Sequence, residues 1–317
     1  MKTDNVRHVY GPVPSRRLGR SLGIDLVPFK TCTYDCVYCQ LGRTTDLTLD
    51  RAPYVPADVL VAECMEVLRT AERPDIISLA GSGEPTLNSQ IGAVIRGIKQ
   101  QTDIPVAVLT NGALLWSPDV QDALMTADLI LPSLDAGSAA LFQRINRPHP
   151  DLSFDQMVNG LVDFSRRFAG RIWLEVLLLA GLTDSHAEVD HIAAYIEQIQ
   201  PARVQLNTVC RPPAETSAAA VDADRLQALA GRFPCAVDIV RHKEGNDGAA
   251  TSSRQVREEE ILALLERRPC TPRDVAAGLN IHVNEAIKHL EALTTAGRLQ
   301  TVAKDQKIFY TLPTKKD

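Results

Sequence analysis

The sequence has few cysteines, few aromatic residues and no long apolar run. Its 317 residues include seven Cys, and aromatic residues make up 5% of the chain. No apolar run reaches the roughly 20 residues that a membrane-spanning helix needs, and the opening residues lack the apolar stretch of a secretory signal. An odd number of scattered cysteines also argues against a secreted disulfide framework. We therefore expect a cytoplasmic protein that has no part in a membrane.

The sequence also lacks an excess of positive charge. The formal net charge is −5, so any contact with nucleic acid would have to use a local basic patch. Apolar residues make up 45% of the chain and charged residues 23%, which is an ordinary globular balance. A chain of this length suits one large α/β unit with a smaller second domain.

Three of the seven cysteines, Cys32, Cys36 and Cys39, lie in one short segment with the spacing C-x3-C-x2-C. Three thiolates can bind three irons of a [4Fe–4S] cluster and leave the fourth iron open, whereas electron-transfer clusters normally take four cysteines. A zinc site prefers four ligands and pairs of the C-x2-C type, and the nearest histidine, His8, lies well upstream. The spacing therefore favours a cluster whose open iron binds a substrate or cofactor directly.

With the aromatic residue Tyr38 directly before the third cysteine, this motif resembles that of the radical S-adenosylmethionine (SAM) superfamily. The resemblance covers roughly residues 11–241 and implies two cofactors, a [4Fe–4S] cluster and SAM. In that family, one-electron reduction cleaves SAM at the cluster to a 5′-deoxyadenosyl radical, which abstracts hydrogen from a substrate. The electron comes from an external donor of the flavodoxin or ferredoxin type. The protein orients the reactants and excludes water.

Apolar strand patterns alternate with amphipathic helix patterns along most of the chain. Such alternation predicts a parallel sheet covered by helices, and the resemblance implies an α/β fold with a partial (β/α)6 barrel. The predicted strands are 22–27, 75–80, 105–109, 129–134, 172–179, 204–209 and 236–240, and the predicted helices are 59–71, 91–99, 120–126, 141–145, 154–168, 187–199 and 223–233.

The strand predicted at 75–80 ends in a glycine-rich bend, Gly81-Ser82-Gly83-Glu84. Functional groups gather at the carboxyl ends of the strands in such sheets, and glycine lets the backbone approach a ligand closely. The bend resembles the GGEP element of the radical SAM family, with Ser82 at the second glycine position. The resemblance implies that residues 81–84 bind the amino group of SAM, and the alternative is an ordinary strand-to-helix turn.

Short polar residues follow the next two strands, with Asn111 after one and Ser133 and Asp135 at the end of the other. Their side chains can hydrogen-bond ribose hydroxyls or a carboxylate without filling a cavity. The radical SAM family often places such residues here to hold SAM. The alternative is that they serve only the turns that follow the strands.

Polar residues also interrupt the two apolar strands predicted at 172–179 and 204–209. Glu175 is costly there unless it is paired or faces a cavity, so we expect it to contact SAM or substrate. Gln205 and Asn207 alternate and therefore point to one side, which is either the barrel lumen or the helix-covered exterior.

Arginines lie on two loops that we expect near the site. Arg16, Arg17 and Arg20 precede the strand at 22–27, and Arg211 follows the strand at 204–209. Guanidinium groups bind phosphates and carboxylates well, so a phosphate-bearing substrate is one hypothesis. The alternative is that these arginines are solvated surface groups.

The chain after residue 244 predicts a second domain. Residues 245–253 are small and polar, as in a linker, and helices are predicted at 258–267, 272–279 and 283–295 before strands at 299–302 and 308–312. This order resembles a winged helix-turn-helix domain. The predicted division is a radical SAM catalytic domain at 1–244, the linker, and the winged helix at 254–317. That last region carries eleven Lys and Arg against nine Asp and Glu, so binding of tRNA or DNA and binding of protein both stay open.

The run at residues 11–23 and the segment 211–215 resemble a group of radical SAM proteins related to wyosine synthesis, whose members modify a guanosine in tRNA. The function hypothesis is therefore a radical SAM enzyme that modifies a substrate such as a tRNA base. One alternative is a glycyl-radical activating enzyme or another protein-modifying radical SAM enzyme, because these share the C-x3-C-x2-C, G-x-G-E-P and T-N-G motifs. The other is a transcription regulator that senses SAM or the redox state of a cluster.

Overall fold

The computed structural model describes residues 7–15, 17–240, 258–279 and 281–313. Strands and helices alternate along most of this length. The strands within these ranges are β1 (Val9–Ser15), β2 (Gly19–Ile24), β3 (Thr31–Cys32), β4 (Asp46–Leu47), β5 (Ile76–Leu79), β6 (Val106–Thr110), β7 (Leu129–Pro132), β8 (Arg171–Leu178), β9 (Arg203–Thr208), β10 (Val237–Ile239), β11 (Gln300–Lys304) and β12 (Lys307–Thr311).

The helices are amphipathic and cover the sheet. Within the described ranges they are α1 (Ala57–Thr70), α2 (Ile91–Lys99), α3 (Pro118–Leu124), α4 (Ala139–Ile145), α5 (Phe154–Arg167), α6 (His186–Ile199), α7 (Ala223–Ala230), α8 (Glu258–Arg267), α9 (Pro272–Leu279) and α10 (Val283–Thr295). The predicted helices are confirmed, and α2, α8, α9 and α10 have the predicted bounds. None of the helices in the described part of the chain combines the length and apolar character that crossing a bilayer requires.

One large sheet organises the first 240 residues, with the strand order β1-β2-β5-β6-β7-β8-β9-β10. Strands β2 and β5 to β10 all run parallel to one another, which confirms the predicted α/β class with a mostly parallel sheet. The sequence did not predict β1, which is antiparallel to β2. Pro12 and Pro14 suggested a loop, but prolines are tolerated in an edge strand such as this one.

The sheet is curled and encloses a lumen. In the strand order, β8 lies four positions from β2, which is about 19 Å in a flat sheet with strands spaced about 4.8 Å apart. Yet the guanidinium of Arg17, two residues before β2, forms an ion pair with Glu175 on β8. Burial alternates along β8, where Leu174 and Val176 are fully buried and Glu175 and Leu177 are half-buried. Glu175 and Leu177 therefore lie on one face of β8, and that face lines the lumen.

The described residues form a main core around the sheet, a small separate cluster that includes Leu18 and Leu131, and a core in the C-terminal unit, which we define as residues 258–279 and 281–313. The main core includes Leu22, Val108 and Leu206 and packs the sheet against its helices. The core of the C-terminal unit includes Ile261 and Leu290, and in this unit three helices precede the antiparallel hairpin of β11 and β12. The linker predicted at 245–253 lies outside the described residues.

Candidate functional site

The cysteine loop connects β2 to α1 and is held by its own hydrogen bonds. Strand β3, which contains Cys32, pairs in parallel with β4 at the far end of the loop. The Cys39 amide donates to the Cys36 carbonyl at 3.1 Å. The carboxylate of Asp35 accepts from the Thr44 amide at 2.7 Å. These contacts fix the backbone around three thiols, all of which are free and partly exposed.

Each of the three cysteine sulfurs has one nitrogen donor beside it. Asn111 Nδ2 lies 3.6 Å from Cys32 Sγ, and Asn146 Nδ2 lies 3.7 Å from Cys36 Sγ. Lys30 Nζ donates to the third sulfur, Cys39 Sγ, at 3.2 Å. Hydrogen bonds to ligand sulfurs are among the features that set the reduction potential of an iron–sulfur cluster.

Burial raises the pKa of two thiols of this loop, Cys32 and Cys36, and keeps them protonated in the absence of a metal. It raises the pKa of Cys32 to about 12, with a further rise from the charges of Glu84 and Cys39. Burial also raises the pKa of Cys36 well above its ordinary value, and Cys32 and Cys39 add to that rise. The three thiols therefore lie close enough to influence one another. Metal ligation removes the protons from such thiols, because only the thiolate is a ligand.

The donor set of this loop fits a [4Fe–4S] cluster. Within the described residues, no group of three or more His, Cys, Asp or Glu side chains is arranged to hold a metal ion. A cubane cluster requires a different arrangement, because each thiolate binds its own iron. Three cysteine sulfurs on one loop, each beside an N–H donor, meet that requirement.

The segment Gly81–Glu84 follows β5 and lies directly against the cysteine loop. Lys30 N donates to Ser82 O at 2.9 Å, and Glu84 N donates to Thr31 O at 3.1 Å. A Cβ atom on Gly83 would overlap the carbonyl oxygen of Thr31, so only glycine fits there. The two segments predicted to hold the cluster and SAM are thus brought together by backbone hydrogen bonds.

The carboxylate of Glu84 is buried and accepts four hydrogen bonds from the protein. Thr86 donates from its amide at 3.0 Å and its hydroxyl at 2.6 Å, Thr110 donates its hydroxyl at 2.6 Å, and Asn111 donates its amide at 2.7 Å. Burial raises the pKa of Glu84, and these hydrogen bonds oppose the rise. Glu84 therefore joins the ends of β5 and β6 and positions Asn111.

Asp25, which follows β2, holds the other side of this segment and was not singled out from the sequence. Its Oδ2 accepts from the Ser82 amide at 3.0 Å and from the Ser82 hydroxyl at 2.6 Å. Its carboxyl is so close to Gly81 that a Cβ atom there would lie 2.6 Å from Oδ2. The only sequence signal for Asp25 is an acid inside the apolar run at 22–27.

Tyr38, Asp135 and Asn146 form a hydrogen-bonded group behind the cysteine loop. The Tyr38 hydroxyl donates to Asp135 Oδ2, and Asn146 Nδ2 donates to the Tyr38 hydroxyl at 2.8 Å. Leu177 N donates to Asp135 Oδ1 at 2.8 Å. Burial raises the pKa of Asp135 to about 7, although the Tyr38 hydroxyl opposes that rise. Asn146 contacts both the loop and Asp135, and sequence reasoning missed it.

A second polar group lies on the lumen side of β8 and β9. Glu175 pairs with Arg17 and accepts a hydrogen bond from Asn207 Nδ2 at 3.2 Å. Asn207 therefore faces the lumen, and Gln205 alternates with it on β9. The backbone of Ser133 bridges to Glu175, so this predicted residue lies at the same level of the barrel. Glu175 is thus paired within the protein, and its expected contact with SAM or substrate stays a prediction.

The segment after β9 covers the cysteine loop through an ion-pair network. Arg43 lies 2.7 Å from Asp35 and 2.8 Å from Glu215, and Arg147 lies 2.9 Å from Glu215. The Glu215 amide also donates to the Val37 carbonyl at 2.9 Å. The cysteine loop is thereby fixed to the far edge of the sheet.

The loop arginines have carboxylate partners within the chain. Arg17 pairs with Glu175, Arg20 pairs with Glu72, and Arg211 pairs with Asp274 at 3.1 Å. Arg16 lies outside the described residues. These pairs remove the support that the sequence offered for a phosphate site at these arginines.

Comparisons with known proteins show the family of this chain. The family model described as the Radical SAM superfamily matches residues 26–193. A Brachyspira hyodysenteriae protein named GTPase Obg is 39% identical over 296 residues, which cover 93% of this chain and 43% of that protein. This chain therefore spans less than half the length of that relative. A UPF0026 protein of Methanocaldococcus jannaschii is 31% identical over 309 residues, covering 95% of this chain and 94% of that protein.

The fold also matches a solved structure. A radical SAM methyltransferase from Sphaerobacter thermophilus superposes with a TM-score of 0.52 at 17% sequence identity, over 71% of this chain and 67% of that chain. This similarity concerns the fold alone. Radical SAM proteins use a [4Fe–4S] cluster and SAM, which are the two cofactors expected from the sequence. The chain belongs to the radical SAM superfamily, and within it to the UPF0026 proteins.

Proposed function

We propose that this protein is a radical SAM enzyme that binds a [4Fe–4S] cluster through Cys32, Cys36 and Cys39 and reductively cleaves SAM to modify a substrate. When bound, the cluster and SAM would provide a 5′-deoxyadenosyl radical that abstracts a hydrogen atom. The observation that carries the proposal is the set of three sulfurs, each beside a nitrogen donor, against a glycine-rich strand end.

The residues around the cysteine loop would hold SAM beside the open iron. Gly81, Ser82 and Gly83 offer backbone groups at the end of β5, and Glu84 and Asp25 keep that segment in place. Further polar residues on the cysteine loop and the neighbouring strands would complete the SAM site: Tyr38, Asn111, Ser133, Asp135 and Glu175. Of these, Glu175 would face SAM or substrate from the lumen.

Substrate recognition is proposed to involve the C-terminal region. We divide the chain into a catalytic domain at 1–244, a linker at 245–253 and a winged helix-turn-helix domain at 254–317. The proposed winged helix is supported by three helices followed by a hairpin. A tRNA base is the proposed substrate, on the resemblance of residues 11–23 and 211–215 to proteins related to wyosine synthesis. A flavodoxin or ferredoxin is the proposed electron donor.

The test is anaerobic reconstitution with iron and sulfide, followed by reduction with dithionite in the presence of SAM and assay of 5′-deoxyadenosine. We expect product from the wild type and none from Cys36→Ala. Cys235→Ala is the matched control, because Cys235 lies near the start of β10 and outside the cysteine loop, and it should match the wild type. Equal turnover by Cys36→Ala and Cys235→Ala would contradict the proposal.

A second assay separates the alternatives. With total tRNA added, the proposed enzyme should form 5′-deoxyadenosine faster and leave a tRNA nucleoside of altered mass. Stimulation by a protein fraction instead would favour a glycyl-radical activating enzyme or another protein-modifying enzyme. A cluster that binds SAM but gives no product with either fraction would favour a sensor.

A further inference from the structure

The C-terminal unit contacts edge strand β1 and, near the opposite edge of the sheet, the segment that follows β9. At the first edge, α9 packs against β1. Near the other edge, the segment that follows β9 contacts the turn between α8 and α9 through Arg211. Strand β1 is antiparallel to β2, so its first residues lie beside the carboxyl end of β2, and Arg211 follows the carboxyl end of β9. The unit therefore spans the opening of the barrel at the level of the cofactor site.

The contact near β9 is buried and polar. Arg211 is only 4% exposed. Its Nε donates to the Pro269 carbonyl at 3.0 Å, and its Nη2 lies 3.1 Å from Asp274 Oδ1. Lys304 Nζ donates back to the Arg211 carbonyl at 3.0 Å. Buried charged groups that are paired in this way specify one orientation of the two surfaces.

The contact at β1 leads to the proposed SAM segment. The Arg267 guanidinium lies 4.0 Å from the centre of the Tyr10 ring. The ring also lies against Gly23, where a Cβ atom would overlap it. The Tyr10 hydroxyl donates to the Ala80 carbonyl at 3.2 Å, directly before Gly81.

We propose that the C-terminal unit forms a wall of the active site and positions the SAM segment through Arg267, Tyr10 and the Ala80 carbonyl. Arg267 and Tyr10 are positioning residues, since they act on SAM through the backbone of residues 80–83. Binding of SAM and docking of the unit are then thermodynamically linked, so each strengthens the other by the same factor. The inference rests on the proposed function, because it requires SAM at residues 81–84.

The linkage is tested with three variants of the reconstituted full chain. Arg267→Ala removes the cation above the Tyr10 ring, and Tyr10→Phe keeps the ring but removes the hydroxyl bond to Ala80. Arg273→Ala is the matched control, because Arg273 is an exposed arginine of the same unit. The dissociation constant for SAM is measured by anaerobic equilibrium dialysis, and urea unfolding of each variant checks the fold.

We expect Arg267→Ala and Tyr10→Phe each to weaken SAM binding threefold to tenfold, with Arg273→Ala unchanged. The double variant of Arg267 and Tyr10 should bind SAM no more weakly than the worse single variant, because both act through one contact. If the role is purely structural, Arg267→Ala will lower the free energy of unfolding and Tyr10→Phe will bind SAM with wild-type affinity. That result would overturn the proposal.

Hydrogen exchange measures the same linkage from the other side. SAM should slow amide exchange in residues 258–279 of the wild type and of Arg273→Ala, and should leave it unchanged in Arg267→Ala. If SAM leaves the amide exchange rates of this region unchanged in the wild type, the inference is overturned while the proposed function stays intact. A wild type that binds the cluster but no SAM would overturn both.

Discussion

Alanine at position 83 should damage the proposed cofactor site more than its single methyl group suggests. The added Cβ would overlap the Thr31 carbonyl oxygen and lie 2.8 Å from Val27 Cγ2. In proteins, Cβ atoms essentially never come within 3.0 Å of a non-bonded heavy atom. The obstacle is backbone, because Thr31 belongs to β3 and accepts the Glu84 amide at 3.1 Å. Neither segment can retreat without breaking that hydrogen bond or moving Cys32.

The expected cost follows from overpacking in a region that cannot yield. Such insertions lower the free energy of unfolding by about 1–3 kcal/mol, and urea unfolding of the protein without metal measures this difference. After reconstitution, Gly83→Ala should also hold less iron and bind SAM at least tenfold more weakly, because the cysteine loop and residues 81–84 move apart.

Gly231→Ala is the matched control for this substitution. Its Cβ would lie 3.5 Å from the nearest atom, the Ala228 carbonyl oxygen, and its φ is −68°, which any residue adopts. We expect the control to change the free energy of unfolding by less than about 0.5 kcal/mol. A Gly83→Ala protein with wild-type stability, iron content and SAM affinity would refute the claim that close backbone contact builds the site.

Three further predictions concern the contacts around the site. Arg211→Ala should lower the free energy of unfolding by about 3 kcal/mol, because it removes the paired cation of the largely buried Asp274 side chain; an unchanged urea midpoint would contradict this. Burial raises the pKa of Asp274, but the Arg211 charge and Thr271 hydrogen bonds outweigh it and leave that pKa below its usual value. The carboxylate therefore stabilises the fold above its unfolded pKa of about 3.9, and the contribution is lost as pH falls through the lower folded pKa. Acid unfolding of Asp274→Asn should be less steep below pH about 4, and a slope equal to the wild type would count against the pair. Lys30→Met should lower the cluster potential by on the order of 100 mV in an EPR-monitored redox titration, because a cation 3.2 Å from Cys39 Sγ is removed; an unchanged potential would exclude this electrostatic role.

The sequence predicted the parts of the fold that depend on local patterns. Helices α2, α8, α9 and α10 were predicted with their observed bounds, because amphipathic spacing and nearby breakers are properties of a short stretch of sequence. Strand β1 was not predicted, because Pro12 and Pro14 are typical of loops and only its position at the sheet edge makes them compatible with a strand. The order of the strands in the sheet cannot be read from a short stretch of sequence.

The same limit applies to the site. The spacing of the cysteines and the glycine-rich bend were visible in the sequence, since each is a continuous motif. Asn146 is 110 residues from Cys36, and Tyr10 is 70 residues from Ala80, so only folding brings each pair together. Binding of a phosphate was one hypothesis for Arg17, beside a solvated surface role, because its partner, Glu175, lies 158 residues away in the sequence. The local sequence patterns therefore could not show which polar and charged side chains pair with residues far away in the chain.

The central claim is that Cys32, Cys36 and Cys39 hold a [4Fe–4S] cluster with one iron open to SAM. The most direct measurement is EPR spectroscopy of the reconstituted, dithionite-reduced protein with and without SAM, together with iron and zinc analysis. We expect about four irons per chain and an EPR signal of the reduced cluster that shifts when SAM is added. Both should be lost in Cys36→Ala and kept in Cys235→Ala. Uptake of one zinc without iron, or a cluster signal that SAM leaves unchanged, would contradict the claim.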